Sequence, residues 1–144
     1  MMADDYYLAI QSTDSNLVPT DVLNHMLLSN GLGAVCMNNL FKEYGFSINA
    51  FADNDEASVF GGTRPDVCIS FRLNKRFSSS GLAEDRMLAL VAWLIRESSA
   101  DMRLSYNADV VLMERRSMRL LIFTESDFWT ATRVRKLREA ARDW

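Results

Sequence analysis

One histidine, two cysteines and two prolines are all that this chain holds of three residue types that commonly mark catalytic sites, disulfide scaffolds and linkers. Histidine is the usual base of a nucleophilic triad, and His25 alone could serve. It lies inside a predicted helix, with no serine or cysteine at a suggestive spacing, and reads as a helix-edge structural residue. Cys36 and Cys68 each sit in an apolar run. A small secreted scaffold would carry a denser, even set of cysteines, so both are expected as buried thiols in a reducing compartment. With His25 they are too few for a zinc site. Two prolines and six glycines leave little linker material, and residues 1–144 are expected to form a single domain.

Long apolar runs are missing too. The longest, Met87 to Ile95, is about half of what spans a bilayer. The beginning, Met1-Met2-Ala3-Asp4-Asp5, is acidic and lacks an apolar core like that of a signal peptide. A cytoplasmic protein with no membrane partner is expected. The net charge of −3 argues against general affinity for nucleic acid.

What is present is patterned. Tyr6 to Ile10 suits a first strand, and Pro19-Thr20-Asp21 opens a helix whose apolar face is Val22, Leu23, Met26 and Leu27. Asn30-Gly31 ends it. Ala34 to Met37 and Phe46 to Ala52 read as strands, with a turn at Lys42-Glu43-Tyr44-Gly45 before the second. In Val67 to Leu73 the odd-numbered residues share one face, while Cys68, Ser70 and Arg72 share the other. Ser78-Ser79-Ser80 supplies N-caps for a helix over Leu82 to Glu97, striped by Met87, Leu90, Val91, Leu94 and Ile95. Strands follow over Met102 to Tyr106, Asp109 to Glu114 and Met118 to Phe123, with turns at Asn107-Ala108 and Arg115-Arg116-Ser117. Asp127 to Trp144 reads as a closing helix with Phe128, Ala131, Val134, Leu137 and Ala141 on one face. Strands in runs, with helices between them, predict an α+β fold: a mostly antiparallel sheet, a central helix packed on one face and a C-terminal helix.

Motifs for chemistry do not assemble. Gly31-Leu32-Gly33 follows a helix and precedes a strand, the reverse of a dinucleotide fingerprint. Gly61-Gly62-Thr63 lacks the lysine of a phosphate loop. Asp53, Asp55 and Glu56 open like a calcium loop, but the required glycine and distal glutamate are missing, so a solvated acidic turn is the better reading. Asp109 and Glu114, on one predicted strand, point to opposite sides and cannot work as a carboxylate pair. Arg133, Arg135, Lys136, Arg138 and Arg142 make the last helix basic, but Asp127, Glu139 and Asp143 interrupt it, and solvated cations near a helix C-terminus are expected. No catalytic, cofactor-binding or metal-binding residue is assigned, and no enzyme activity is expected.

Val67-Cys68-Ile69-Ser70-Phe71-Arg72-Leu73-Asn74-Lys75 resembles the strand ending in Phe-Arg-x-x-Lys of the Sit-type immunity proteins, antidotes to contact-transferred toxins of myxobacteria. The helical run Met87-Leu88-Ala89-Leu90-Val91 is similar to the one that follows it there. The hairpin Tyr106-Asn107-Ala108-Asp109-Val110-Val111-Leu112-Met113-Glu114-Arg115 resembles the family's Phe-Asn-Gly-Glu hairpin, departing from it at Tyr106, Ala108 and Asp109. The resemblance covers roughly Val67 to Phe123. It implies a cytoplasmic protein that binds and neutralises a cognate toxin protein, without enzyme activity and without a cofactor. The alternative is a non-enzymatic adaptor or secretion-chaperone-like module. Within Phe51 to Arg64, the residues Asp53, Asp55, Glu56, Phe60 and Arg64 are the expected partner contacts, because aromatic and arginine anchors beside acidic groups are common at interfaces.

Overall fold

The computed structural model describes residues 4–11, 18–32, 45–52, 67–74, 81–107 and 109–142. In chain order these form β1 (Asp4–Gln11), α1 (Pro19–Ser29), β2 (Phe46–Phe51), β3 (Val67–Leu73), α2 (Leu82–Glu97), β4 (Asp101–Tyr106), β5 (Val110–Arg116), β6 (Arg119–Ile122) and α3 (Ala131–Arg142). The six strands form one sheet in the order β2-β3-β1-β4-β5-β6, and every neighbouring pair is antiparallel. The expected α+β class and antiparallel sheet are present. The strand expected at Ala34 to Met37 lies outside the described residues.

Alternation fixes the two faces. Tyr6, Leu8 and Ile10 of β1 point the same way as Ile69 and Phe71 of β3 and Met102 and Leu104 of β4, and all are buried in one core. α1 adds Leu23, Met26 and Leu27 to that core. The opposite face carries Tyr7, Ser70, Arg72, Arg103 and Glu114, with the small residues Cys68 and Ala9 buried in adjacent register.

The end of α1 is as expected. Gly31 sits at φ +76, the Leu32 N–H donates to the Leu27 carbonyl at 2.7 Å, and the Gly31 N–H donates to Leu28 at 3.2 Å. Those paired bonds close a Schellman turn, which needs the left-handed residue glycine supplies cheaply.

α2 spans the residues expected of it, but its burial is wider than one stripe. Ala83, Glu84, Leu88 and Ala92 are buried alongside Met87, Leu90, Val91, Leu94 and Ile95. The sheet covers one side of α2, and α3 covers another. The serine caps are also corrected. Gly81 holds the N-cap position at φ +74, without a side-chain cap, and its carbonyl accepts from the Asp85 N–H at 3.1 Å.

Three further boundaries differ from expectation. Arg115 and Arg116 belong to β5, and the turn is Ser117-Met118, with φ +49 and +68. Both turn residues are left-handed, as a two-residue turn joining twisted strands requires, although neither residue type advertises it. Asp109 lies in the preceding turn rather than on the strand. α3 begins at Ala131, not Asp127, because the Thr130 hydroxyl accepts from the Arg133 N–H at 3.1 Å and caps the first turn. Its buried residues are Leu137 and Ala140, while Ala131 is exposed.

Among the described residues, Arg115 is the largest fully buried side chain, 1% exposed. It opposes Met102 in register and so points into the core. Its guanidinium donates to the carbonyls of Ile95 at 2.7 Å, Ser98 at 2.5 Å and Ala100 at 2.7 and 3.0 Å. Ile95 and Ser98 lie at the C-terminus of α2, where carbonyls lack partners within the helix and the helix dipole favours a cation. Burial pulls the Arg115 pKa below its usual value, with Asp101 acting in the opposite direction.

Candidate site at the end of the sheet

Residues quoted for the family resemblance converge on the start of β1. Asn107 follows β4 at φ +50, and its side-chain oxygen accepts from the Asp5 N–H at 3.1 Å. Its own N–H donates to the Asp5 carbonyl at 2.7 Å. Asn tolerates the left-handed conformation better than most residues, and here its amide extends the β1–β4 ladder by one step. From the other side, Arg72 approaches Asp5 at 3.8 Å across the β1–β3 register. That exposed pair contributes little to stability; it marks where the two segments meet.

Beside this junction lies a cleft of about 550 Å³, lined by Asp4 and Tyr6 of β1, Tyr106 of β4, Gly81 and Glu84 at the start of α2, and Phe128 and Arg133 around α3. The aromatic rings form one wall. Tyr6 and Tyr106 are register partners with centroids 5.0 Å apart, and Phe128 lies 5.6 Å from Tyr6 on its other side. Phe128 is held by Trp129, whose ring meets it edge-on at 4.9 Å and whose indole N–H donates to the Leu112 carbonyl at 2.9 Å.

Arg133 ties α3 to the start of α2. Its Nε donates to Asp85 at 2.8 Å, Nη1 to the Phe128 carbonyl at 2.7 Å and Nη2 to the Gly81 carbonyl at 3.1 Å. Its guanidinium carbon sits 4.9 Å from the centre of the Phe128 ring. A side chain on Gly81 would meet Arg133 Nη2 at 3.1 Å, so both the positive φ and the close approach ask for glycine here. This corrects the solvated reading of Arg133. Arg135, Lys136 and Arg138 are exposed as expected.

Charge in the cleft is unevenly matched. Glu84 is 7% exposed and its nearest cation is Arg133, at 3.8 Å, beyond hydrogen-bond reach. Burial raises the Glu84 pKa, and a hydrogen bond from its own backbone N–H, then the charge of Arg133, only partly offset this. The Tyr106 hydroxyl donates to Asp4 at 2.8 Å, which raises the tyrosine's pKa, with burial adding to it. Tyr6 is 5% exposed, and its hydroxyl makes no hydrogen bond among the described residues. Burial, then the charges of Glu84 and Asp4, push its pKa far upward, so this hydroxyl stays protonated. Among the described residues, no group of three histidine, cysteine or acidic side chains is placed to hold a metal ion.

Asp53, Asp55, Glu56, Phe60 and Arg64 lie outside the described residues, as does Cys36. Cys68 is buried, and His25 sits at the helix edge with its ring 5.2 Å from that of Trp93. No described helix is long and apolar enough to cross a membrane. Sequence reasoning missed Asp4, Tyr6, Glu84 and Arg133 as a set. One signal was available: Glu84 precedes Met87 by three residues and Leu88 by four, which puts a carboxylate in phase with the buried side of α2.

An α+β domain with an antiparallel sheet, helices on one face and a polar cleft at the sheet's end is the class this geometry defines. The SitI3-like family model matches residues 18–133, and the chain belongs to that family, consistent with the Sit-type immunity proteins. No curated protein and no solved structure gives a match.

Proposed function

We propose that the chain is an immunity protein that acts in the cytoplasm by binding and neutralising a cognate toxin protein, without catalysing a reaction. Family membership over residues 18–133 carries this reading. The placement of Arg72 and Asn107 supports it, since these residues, drawn from two separated stretches of the resemblance, meet at Asp5 beside the cleft. An antidote needs a rigid scaffold presenting a few anchoring pockets, and a sheet end built from three strands and two helices is such a scaffold. The net charge of −3 favours electrostatic steering toward a basic toxin. The segment containing Asp53, Asp55, Glu56, Phe60 and Arg64 is proposed as a further contact, on its mixture of acidic, aromatic and arginine side chains.

The experiment is co-expression with a candidate toxin from a neighbouring open reading frame, together with mixing of the purified proteins. Survival of cells carrying the toxin, with co-elution of a stoichiometric complex, is the expected result. Unprotected cells and no complex on mixing would overturn the reading.

A further inference from the structure

We infer that the cleft at the end of the sheet receives a basic side chain, an arginine or a lysine, presented by the protein partner. The inference deepens the toxin-binding reading and rests on it for the identity of the partner.

Three carboxylates, Asp4, Glu84 and Asp127, line this cleft against one guanidinium, that of Arg133. Arg133 is already committed. Its Nε, Nη1 and Nη2 donate to Asp85, Phe128 and Gly81, and Glu84, whose carboxylate accepts a hydrogen bond from its own backbone N–H, is left 3.8 Å from it. A carboxylate that buried normally has a hydrogen-bonded cation. Asp4 is satisfied on one oxygen by Tyr106 and has a second to offer.

The second observation is the Tyr6 hydroxyl. It is a polar group on a side chain 5% exposed, its oxygen opens onto the cleft, and no described residue hydrogen-bonds to it. A protonated hydroxyl both donates and accepts, so its oxygen can take an N–H from an incoming cation. The ring of Tyr106, which is less buried than Tyr6, supplies the remaining attraction, because a desolvated guanidinium or ammonium is drawn to aromatic faces. A volume of about 550 Å³ admits a long side chain with part of its backbone. Three carboxylates with aromatic walls suit a flat organic cation better than a divalent metal, which asks for six or more oxygens close around it.

The probe is n-propylguanidinium, the arginine side chain without its backbone, and its neutral isostere n-propylurea is the control. Binding is read by NMR on the tyrosine rings of the full chain. Saturable shifts at Tyr6 and Tyr106 with the cation, and none with the urea, are expected. Glu84→Gln should weaken the cation by about tenfold or more, and Tyr6→Phe by a few-fold. Circular dichroism on both variants confirms that they fold. Equal shifts from the urea, or folded variants that bind like wild type, would overturn the inference. The toxin separates the two readings. If it binds wild type and Glu84→Gln equally, the cleft is not the anchor and the immunity reading stands. If it fails to bind wild type while the cation still saturates the cleft, the immunity reading fails and the cation site survives.

Discussion

The Arg115 guanidinium donates to the Ile95 carbonyl at 2.7 Å, fastening β5, next to the edge strand, to the last turn of α2. The arginine thereby caps a helix that ended 18 residues earlier in the chain, counting from Glu97 to Arg115. It also joins Ser98 and Ala100, so a single side chain satisfies three carbonyls where α2 passes into β4.

Replacing Arg115 tests that role. Arg115→Met keeps the apolar stem but leaves the carbonyls of Ile95, Ser98 and Ala100 without donors. The expected loss is about 3 kcal/mol of unfolding free energy, measured by urea denaturation. Arg115→Lys keeps the charge but not the planar fork, and should recover only part of that loss.

Arg133 gives a second expectation. Arg133→Ala removes the bonds to Asp85, Phe128 and Gly81 and leaves the buried Glu84 without a nearby cation. Destabilisation of about 3 kcal/mol is expected. Adding Glu84→Gln to the same chain should restore part of it, and a double-mutant cycle measures the coupling. Strict additivity of the two changes would show that Arg133 and Glu84 do not interact.

The pH dependence has opposite signs at two glutamates. Burial raises the Glu84 pKa above 4.5, so the folded state holds that proton more tightly than the unfolded chain. Its stabilising contribution is complete below the ordinary value and is lost as pH rises through the folded value. At Glu114, burial acts upward, but hydrogen bonds from Arg116 and Arg103 outweigh it and the pKa falls. Its contribution is present above the ordinary carboxylate range and is lost as pH falls through the folded value. Denaturation across acid to neutral pH should therefore show Glu84→Gln gaining on wild type as pH rises. Glu114→Gln should lose on wild type over the same direction.

The β5–β6 turn offers a stabilising change. Ser117 and Met118 hold φ +49 and +68, a conformation costly for both. Ser117→Asn with Met118→Gly should add about 1 kcal/mol, read as a higher denaturation midpoint at unchanged slope.

Local signals carried much of the fold. The alternation in Val67 to Leu73 gave both faces of β3, and the stripe in Leu82 to Glu97 gave α2 with its bounds, because each depends on neighbours a few residues away. Gly31 ended α1 for the same reason. Arg115 was read as a turn residue, since an arginine beside Arg116 and Ser117 looks solvated until the end of α2 is brought against it. Arg133 looked like one of several surface cations on a basic helix for the same reason.

The sequence by itself determined the class of the chain: an α+β protein with one apolar core and a family resemblance over roughly Val67 to Phe123. Tertiary structure alone decided that Asp4, Tyr6, Glu84, Tyr106 and Arg133 share one cleft. Those residues come from β1, α2, β4 and α3, separated by up to 129 positions between Asp4 and Arg133. Periodicity reports which side of an element is buried. Which buried sides meet, and whether an acid or an arginine within them finds its partner, depends on how the sheet and helices pack.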